Sequence, residues 1–250
     1  MLNKFINHKL NSKQKRLQNL LDSIRFKLEK HKDELKGVKN LIEKINTLNT
    51  SSLQLNEGPN NLNNNERMLR TALIQANDPS VSGIVMNITD CTKDLRWKKD
   101  NFDFYPKGSD LGRGYTASNL HAQIIGPDGS LFKTNEFMIG VFMLGPWTLY
   151  KDHSHAAPEL YINLSSKSDW RFDFGPWCRF GAGTLVWNSE NQVHATLVSE
   201  MPFLSIFAWL NEVNCLCKIH NVSDHRQIED QLLLQSAEAC SQTVGGFMQT

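Results

Sequence analysis

The 250-residue chain contains 40% hydrophobic and 21% charged residues, a composition typical of a soluble globular protein. Its formal net charge of +1 gives no general reason to expect nucleic acid or an acidic membrane surface as a partner. No run of about 18 apolar residues is present, and the N-terminus lacks the apolar segment of a secretory signal, so we expect a cytoplasmic protein without membrane contact.

An amphipathic helix is predicted over residues 13–48, and Gly37 either bends it or divides it in two. Its apolar residues recur at helical spacing: Leu17, Leu20, Leu21, Ile24, Leu28, Leu35, Val38, Leu41, Ile42, Ile45 and Leu48. Residues 1–50 contain twelve Lys and Arg against five Asp and Glu. We interpret this charge as a solvated face, because no interleaved aromatic residues or nucleic-acid motifs accompany it. A homodimer through the N-terminal helices is one prediction, and packing on the same chain is the other.

The helical region is expected to extend over residues 1–90. Residues 49–65 are rich in Asn, Ser, Gly and Pro, which predicts a flexible linker within it. A short helix over Glu66–Asn77 should end at Asp78-Pro79, because proline disfavours helical geometry in the residue before it. Val81–Cys91 is predicted to continue the helical layer.

From about residue 110 to 215 the pattern changes to short apolar or alternating runs separated by turn residues. The runs are His121–Ile125, Glu136–Leu144, Leu160–Leu164, Trp170–Phe174, Thr184–Trp187, Ala195–Val198 and Leu204–Leu210. Seven short strands at regular spacing predict a β-sandwich or barrel. A final helix is predicted over Asp224–Cys240, within residues 223–241, behind the candidate N-cap Ser223.

Five cysteines are scattered along the chain: Cys91, Cys178, Cys215, Cys217 and Cys240. An odd, dispersed set predicts reduced structural thiols rather than a disulfide framework. The Cys215-Leu-Cys217 pair on its own is weak support for a metal site.

Two histidine segments predict a metal site. His153 and His155 are two residues apart and share one face of a strand, and Glu159 and Tyr161 share a face of the next strand. His194 must reach them from a third strand. Three imidazoles and a carboxylate suit a divalent transition metal (Zn, Fe, Mn, Ni or Co) with positions left open for water or substrate.

The pattern HxHxxxExY, followed by a Gly-rich turn, a Trp-containing strand and a late His-Ala pair, resembles the cupin motifs of the dimethylsulfoniopropionate (DMSP) lyases. The similarity covers roughly residues 112–212. It includes Ile125-Gly-Pro-Asp-Gly129, Gly140, Gly145-Pro146, Trp170, Trp187, His194-Ala195, Pro202 and Trp209. The resemblance implies a mainly β fold, a cupin double-stranded β-helix with helices before and after it.

The resemblance also implies roles for matched positions. His153, His155, Glu159 and His194 would ligate the metal, and Tyr161 would be the general base. The chain departs from the family pattern at Ser165-Ser166, where glycine is frequent, and at Pro158 directly before the glutamate. Both changes lie in turns that help to position Glu159 and Tyr161.

The implied reaction is a β-elimination on a small molecule. DMSP carries a sulfonium on the carbon β to its carboxylate, so removal of an α-proton expels dimethyl sulfide and leaves acrylate. A metal cation near Tyr161 would favour its phenolate. Aromatic faces attract cations, and Tyr150, Trp187 and Tyr115 are the predicted substrate contacts.

Three further polar positions and two alternative functions complete the expectations. Tyr115, His121 and Lys151 could hydrogen-bond the substrate carboxylate, although Lys151 is expected to face solvent. The alternatives are another metal-dependent cupin enzyme (an oxygenase, an isomerase or a lyase on a different substrate) and a non-catalytic cupin binding protein. Tyr161 favours the lyase over an iron oxygenase, which needs no phenolic base.

Overall fold

The computed structural model describes residues 2–48, 55–56, 62, 65–165 and 167–246. Most of the predicted linker at 49–65, and Ser166, therefore lie outside the described residues. The helices are α1 (Leu2–Glu29), α2 (Lys36–Thr47), α3 (Glu66–Gln75), α4 (Ser82–Cys91), α5 (Arg113–Ser118) and α6 (His225–Gly246). The strands are β1 (Leu120–Gly126), β2 (Phe132–Lys133), β3 (Met138–Leu144), β4 (Thr148–Ser154), β5 (Glu159–Asn163), β6 (Ser168–Phe172), β7 (Cys178–Phe180), β8 (Leu185–Asn188), β9 (His194–Val198), β10 (Phe203–Trp209) and β11 (Lys218–Ile219).

Two sheets form the centre of the fold. One has the strand order β2-β1-β3-β10-β5-β8 and the other β11-β4-β9-β6-β7. Four consecutive strands of each, β3-β10-β5-β8 and β4-β9-β6-β7, have the order of a jelly roll, the double-stranded β-helix of cupins. The predicted cupin fold is thus confirmed. The seven predicted runs correspond to β1, β3, β5, β6, β8, β9 and β10, whereas the apolar pattern missed β2, β4, β7, β11 and the short helix α5.

The N-terminal helices cover the outer face of the six-stranded sheet. Leu17, Leu21 and Leu28 of α1 are buried in one core with outward-facing residues of the sheet such as Val141 and Ile206. The apolar stripe of α1 is therefore buried against the same chain, as expected for an amphipathic helix with a core-facing stripe. The homodimer stays a prediction.

The predicted helix over 13–48 divides at residues 30–35, between α1 and α2, and Gly37 lies inside α2 rather than at the break. The prediction that Gly37 bends or splits the helix is wrong. Gly37 faces Trp187, and a Cβ atom added to it would overlap the indole ring. The glycine permits the close approach of α2 to β8.

A second core fills the space between the sheets. Its members alternate with the outward-facing residues along each strand, because successive side chains point to opposite faces. Phe142, Tyr161, Phe203 and Phe207 are buried there. Outside the five-stranded sheet, α5 and α6 pack on β4. No helix in the described residues is long and apolar enough to cross a bilayer.

Candidate active site

The site is built around a bulge in β4. His153 pairs with His194 of β9, and Tyr150 pairs with Thr196, so three steps along β4 oppose two along β9. The extra residue shifts the alternation of β4, and Tyr150 and His153 point into the same cavity with their rings stacked at 4.1 Å. Bulges beside active sites redirect side chains in this way.

The structure corrects the expectation that Lys151 faces solvent. This lysine is buried, and its Nζ atom lies 2.8 Å from Asp110 Oδ2 and 3.4 Å from Glu229 Oε2. It joins β4 to α6 on the outside of the barrel. Lys151 therefore neither faces solvent nor points into the cavity.

Three histidines converge as the sequence predicted. The ligand atoms of His153, His155 and His194 all lie within 4.8 Å of one another, and all three side chains are buried. Each Nδ1 atom is 2.8–3.0 Å from a backbone carbonyl, that of Lys151, Ala157 or Gln192. Donation from Nδ1 fixes the ring and presents Nε2, the arrangement of metal-bound imidazoles.

The protonation of the cluster suits a cation. Burial lowers the pKa of His153 well below its ordinary value, and the neighbouring His194 and His155 lower it further. Among the described residues, the buried Nε2 of His194 makes no well-aligned hydrogen bond, although Glu159 Oε2 lies 3.3 Å from it. A buried polar atom without a partner is costly. Three buried, converging imidazoles, one of them with a poorly satisfied Nε2, are thus a donor set that a divalent metal fits.

Glu159 lies beside this donor set. Its Oε2 lies 3.3 Å from Nε2 of both His155 and His194. Burial alone would raise the pKa of the carboxyl, but His155 and His194 outweigh it and hold the pKa well below its usual range. Two neutral donors orient the carboxylate: Trp209 Nε1 at 2.9 Å from Oε1 and Asn188 Nδ2 at 3.1 Å from Oε2.

Tyr161 lies two residues beyond Glu159 on β5 and shares its inward face. Its hydroxyl is hydrogen-bonded to the Glu159 carboxylate. Burial, and then the Glu159 charge, raise the pKa of Tyr161 well above its ordinary value. The structure therefore places the phenol beside the donor set, on the wall of the same cavity.

The cavity has about 380 Å³ of empty volume including its mouth and is walled mainly by aromatic rings. Its lining residues are Phe104, Tyr115, His121, Phe142, Tyr150, Glu159, Tyr161, Phe207, Trp209 and Cys217. Two of the predicted substrate contacts, Tyr115 and Tyr150, are among them, with their rings stacked at 4.5 Å. All four tyrosines of the chain are buried. Tyr115, Tyr150 and Tyr161 line the cavity, and the Tyr105 hydroxyl is hydrogen-bonded to that of Tyr150.

The structure corrects the predicted position of Trp187. It pairs with Leu160 on the outward face of β8 and packs with the helical layer against Gly37. Its indole does not line the cavity, so the prediction that it contacts a substrate is wrong. Val186 and Asn188, its neighbours, hold the inward positions of the strand.

Several residues of the site were not assigned from the sequence. Phe104 and Tyr105 come from the segment before α5, which the pattern left without an element, and its Phe-x-Phe-Tyr sequence is the signal that could have drawn attention to it. Cys217 is a free thiol that lines the cavity beside the histidine cluster. Asn188 has no sequence signal apart from its place at the end of a strand.

Comparison with known proteins was made against families, sequences and structures. A family model described as dimethylsulfoniopropionate lyase matches residues 36–205. The dimethylsulfoniopropionate lyase DddQ of Ruegeria pomeroyi is 25% identical over 107 residues, which are 43% of this chain and 53% of that protein. The match thus spans about half the length of that relative.

Two crystal structures share the fold. That of the DMSP lyase DddQ from Ruegeria pomeroyi DSS-3 has a TM-score of 0.58 and 20% identity, and the match covers 82% of this chain and 95% of that one. A chain from the crystal structures of the DMSP lyases RdDddP and RnDddQII has a TM-score of 0.63 and 16% identity, with 84% and 100% covered. At these identities the likeness establishes the fold.

Proposed function

The chain belongs to the dimethylsulfoniopropionate lyase family, and we propose that it cleaves DMSP to dimethyl sulfide and acrylate by a metal-dependent β-elimination that Tyr161 initiates. One observation carries the proposal. A buried phenol and a glutamate line one cavity that is walled mainly by aromatic rings, and the glutamate contacts two of the three clustered histidines.

His153, His155, His194 and Glu159 would hold a divalent transition metal, and these ligand types accept Zn, Fe, Mn, Ni or Co. When bound, the metal supplies positive charge that stabilises the dianion formed from the substrate carboxylate and favours the Tyr161 phenolate. Trp209 and Asn188 keep the Glu159 carboxylate oriented toward the histidines.

Tyr161 acts as the general base in this proposal. Its Oη atom accepts the proton from the carbon α to the carboxylate, and the C–H electron pair forms the carbon–carbon double bond. The C–S bond breaks, sulfur keeps its electron pair and leaves as dimethyl sulfide, and the carbon skeleton becomes acrylate. Placing the base in hydrogen-bonding contact with a metal ligand brings the proton acceptor next to the carboxylate end of the substrate.

The rest of the cavity supports a small substrate with a cationic end. Tyr115 and Tyr150 offer aromatic surface next to the histidine cluster, and Phe142 and Phe207 continue that surface. Such rings attract a sulfonium cation and keep water away from the reacting atoms.

The proposal is tested by product release. The purified protein, loaded in turn with Zn, Fe, Mn, Ni or Co, is incubated with DMSP; dimethyl sulfide is measured in the headspace and acrylate in solution. We expect equimolar amounts of the two products with at least one metal, and no release after chelation or from His194→Ala. An absence of dimethyl sulfide with every metal would refute the lyase function and favour another metal-dependent cupin enzyme.

A further inference from the structure

Asp100 is a buried carboxylate directly behind the wall of the cavity. Its Oδ1 accepts the backbone N–H of Asp103 at 2.8 Å, and its Oδ2 accepts the hydroxyl of Tyr115 at 2.8 Å. Burial raises the pKa of Asp100, and these donated hydrogen bonds oppose that rise. Within the described residues, no basic side chain lies within ion-pair distance of it; the nearby Lys98 pairs with Asp103 instead.

Tyr115 connects this carboxylate to the cavity. The Tyr115 ring lines the cavity and stacks on Tyr150, while its hydroxyl points away to Asp100. One hydrogen bond thus separates the carboxylate from a ring that a substrate can contact. A hydroxyl that donates to a carboxylate makes its ring richer in electrons, which strengthens the attraction of the ring face for a cation.

The same wall carries no opposing positive charge. His121, its other polar residue, is buried, and burial followed by the charge of Lys98 lowers the pKa of its imidazole to about 3. The ring is therefore neutral at physiological pH. Lys98 is itself neutralised at 2.9 Å by Asp103. The wall formed by Tyr115 and His121 therefore has a net negative character, which the Asp100 carboxylate supplies.

We propose that Asp100, acting through Tyr115, is a specificity-determining residue that makes the cavity select a dimethylsulfonium group over a neutral group of the same shape. This inference rests on the proposed function, in which the substrate carboxylate lies at the histidine cluster and the sulfonium lies against the aromatic rings of the cavity. Charges several ångströms apart still attract appreciably in a water-poor cavity, because the effective dielectric constant there is far below that of water.

The experiment compares two ligands that differ only in charge. DMSP and 4-methylpentanoate have the same shape, with a sulfonium sulfur in one and a CH group in the other. Their dissociation constants are measured by isothermal titration calorimetry on the zinc-loaded Tyr161→Phe protein, which removes the proposed base and so keeps DMSP intact. Asp100→Asn is then introduced in the same background. Asp128→Asn is the matched control, because it removes an equal charge from an exposed ion pair with Lys133 in the turn between β1 and β2.

We expect Asp100→Asn to weaken DMSP binding by roughly tenfold or more and to leave 4-methylpentanoate binding within about twofold of its original value. Asp128→Asn should change neither dissociation constant. Unchanged binding of the neutral ligand also shows that the cavity of the variant is intact.

Two results would overturn the inference. Equal weakening of both ligands by Asp100→Asn would assign Asp100 a purely structural role, and an unchanged preference for DMSP would place the selective charge elsewhere. A protein that binds the neutral ligand but not DMSP would refute the proposed function, and the inference would fall with it.

Discussion

Arg171→Met is expected to lower the free energy of unfolding by about 3 kcal/mol or more, because the guanidinium holds together a buried charge network beneath the histidine cluster. Arg171 of β6 is 4% exposed and bonds Asp152 through two nitrogen atoms, one of them at 3.1 Å. A further nitrogen reaches Asp224 at 2.6 Å, at the start of α6. The network ties β4, β6 and α6 into one unit.

The magnitude follows from what the substitution leaves behind. Asp152 is fully buried, and after the change the only side chain among the described residues still within ion-pair distance of it is His225, at 2.7 Å. Removing one member of a buried ion pair costs about 3–5 kcal/mol, since the remaining charge is left without water or compensation. Because His225 still bonds the carboxylate, we expect the lower end of that range. Methionine keeps much of the side-chain packing, so the loss reports mainly on charge.

The assay is urea unfolding followed by tryptophan fluorescence, with Arg179→Met as a matched control. Arg179 makes the same forked contact with Asp169, at 2.7 and 2.9 Å, but its side chain is 61% exposed. Exposed ion pairs contribute little to stability, so the control should unfold close to the original protein. Equal midpoints for the two variants would refute the view that the Arg171 network is structurally important.

Three more predictions concern the metal ligands, the helical layer and acid stability. Trp209→Phe removes the N–H that orients Glu159, and metal affinity should fall by roughly 10–100-fold in a chelator competition; unchanged affinity would contradict this. Gly37→Ala should destabilise the protein, because an overpacking cost of about 1–3 kcal/mol against Trp187 exceeds the helix-propensity gain of about 1 kcal/mol. Adding Trp187→Leu should relieve the overpacking. A Gly37→Ala protein that is more stable than the original would argue against the close contact between Gly37 and Trp187. The pKa of His121 is lowered from 6.5 to about 3, so the unfolded chain takes up the proton first. Stability should therefore fall as pH drops through that interval, by up to about 1.4 kcal/mol per pH unit. In urea unfolding measured across pH, His121→Gln should remove this part of the pH dependence. An unaltered pH dependence would disprove the role of His121.

The donor set could be predicted because residue types and spacing carry that information. Two histidines at a spacing of two must share a strand face, and the structure brings His153 and His155 together with His194 for that reason. Helices and strands with strong apolar periodicity were predictable in the same way. β4 was missed as an apolar run because the sequence Thr-Leu-Tyr-Lys-Asp-His-Ser has polar residues on both faces, one facing the site and the other facing buried ion pairs.

Other features depend on tertiary structure. Trp187 was assigned to the cavity because it lies seven residues before His194, and the sequence does not show that a helical layer covers the outer face of β8. The bulge that brings Tyr150 over His153 depends on the pairing of β4 with β9. Asp100 lies in a segment without regular periodicity, so its contact with Tyr115 follows only from how that segment folds over the barrel.

The central claim is that Tyr161 converts a metal site into an elimination catalyst, and a paired measurement of metal content and dimethyl sulfide release tests it most directly. Tyr161→Phe should bind metal in the same ratio as the original protein while its turnover falls by roughly 100–10,000-fold. His194→Ala should lose both metal and turnover. Tyr105→Phe, which removes a hydroxyl from another buried tyrosine beside the cavity, should lose much less turnover than Tyr161→Phe. A metal-loaded Tyr161→Phe protein that releases dimethyl sulfide at a near-normal rate would contradict the account.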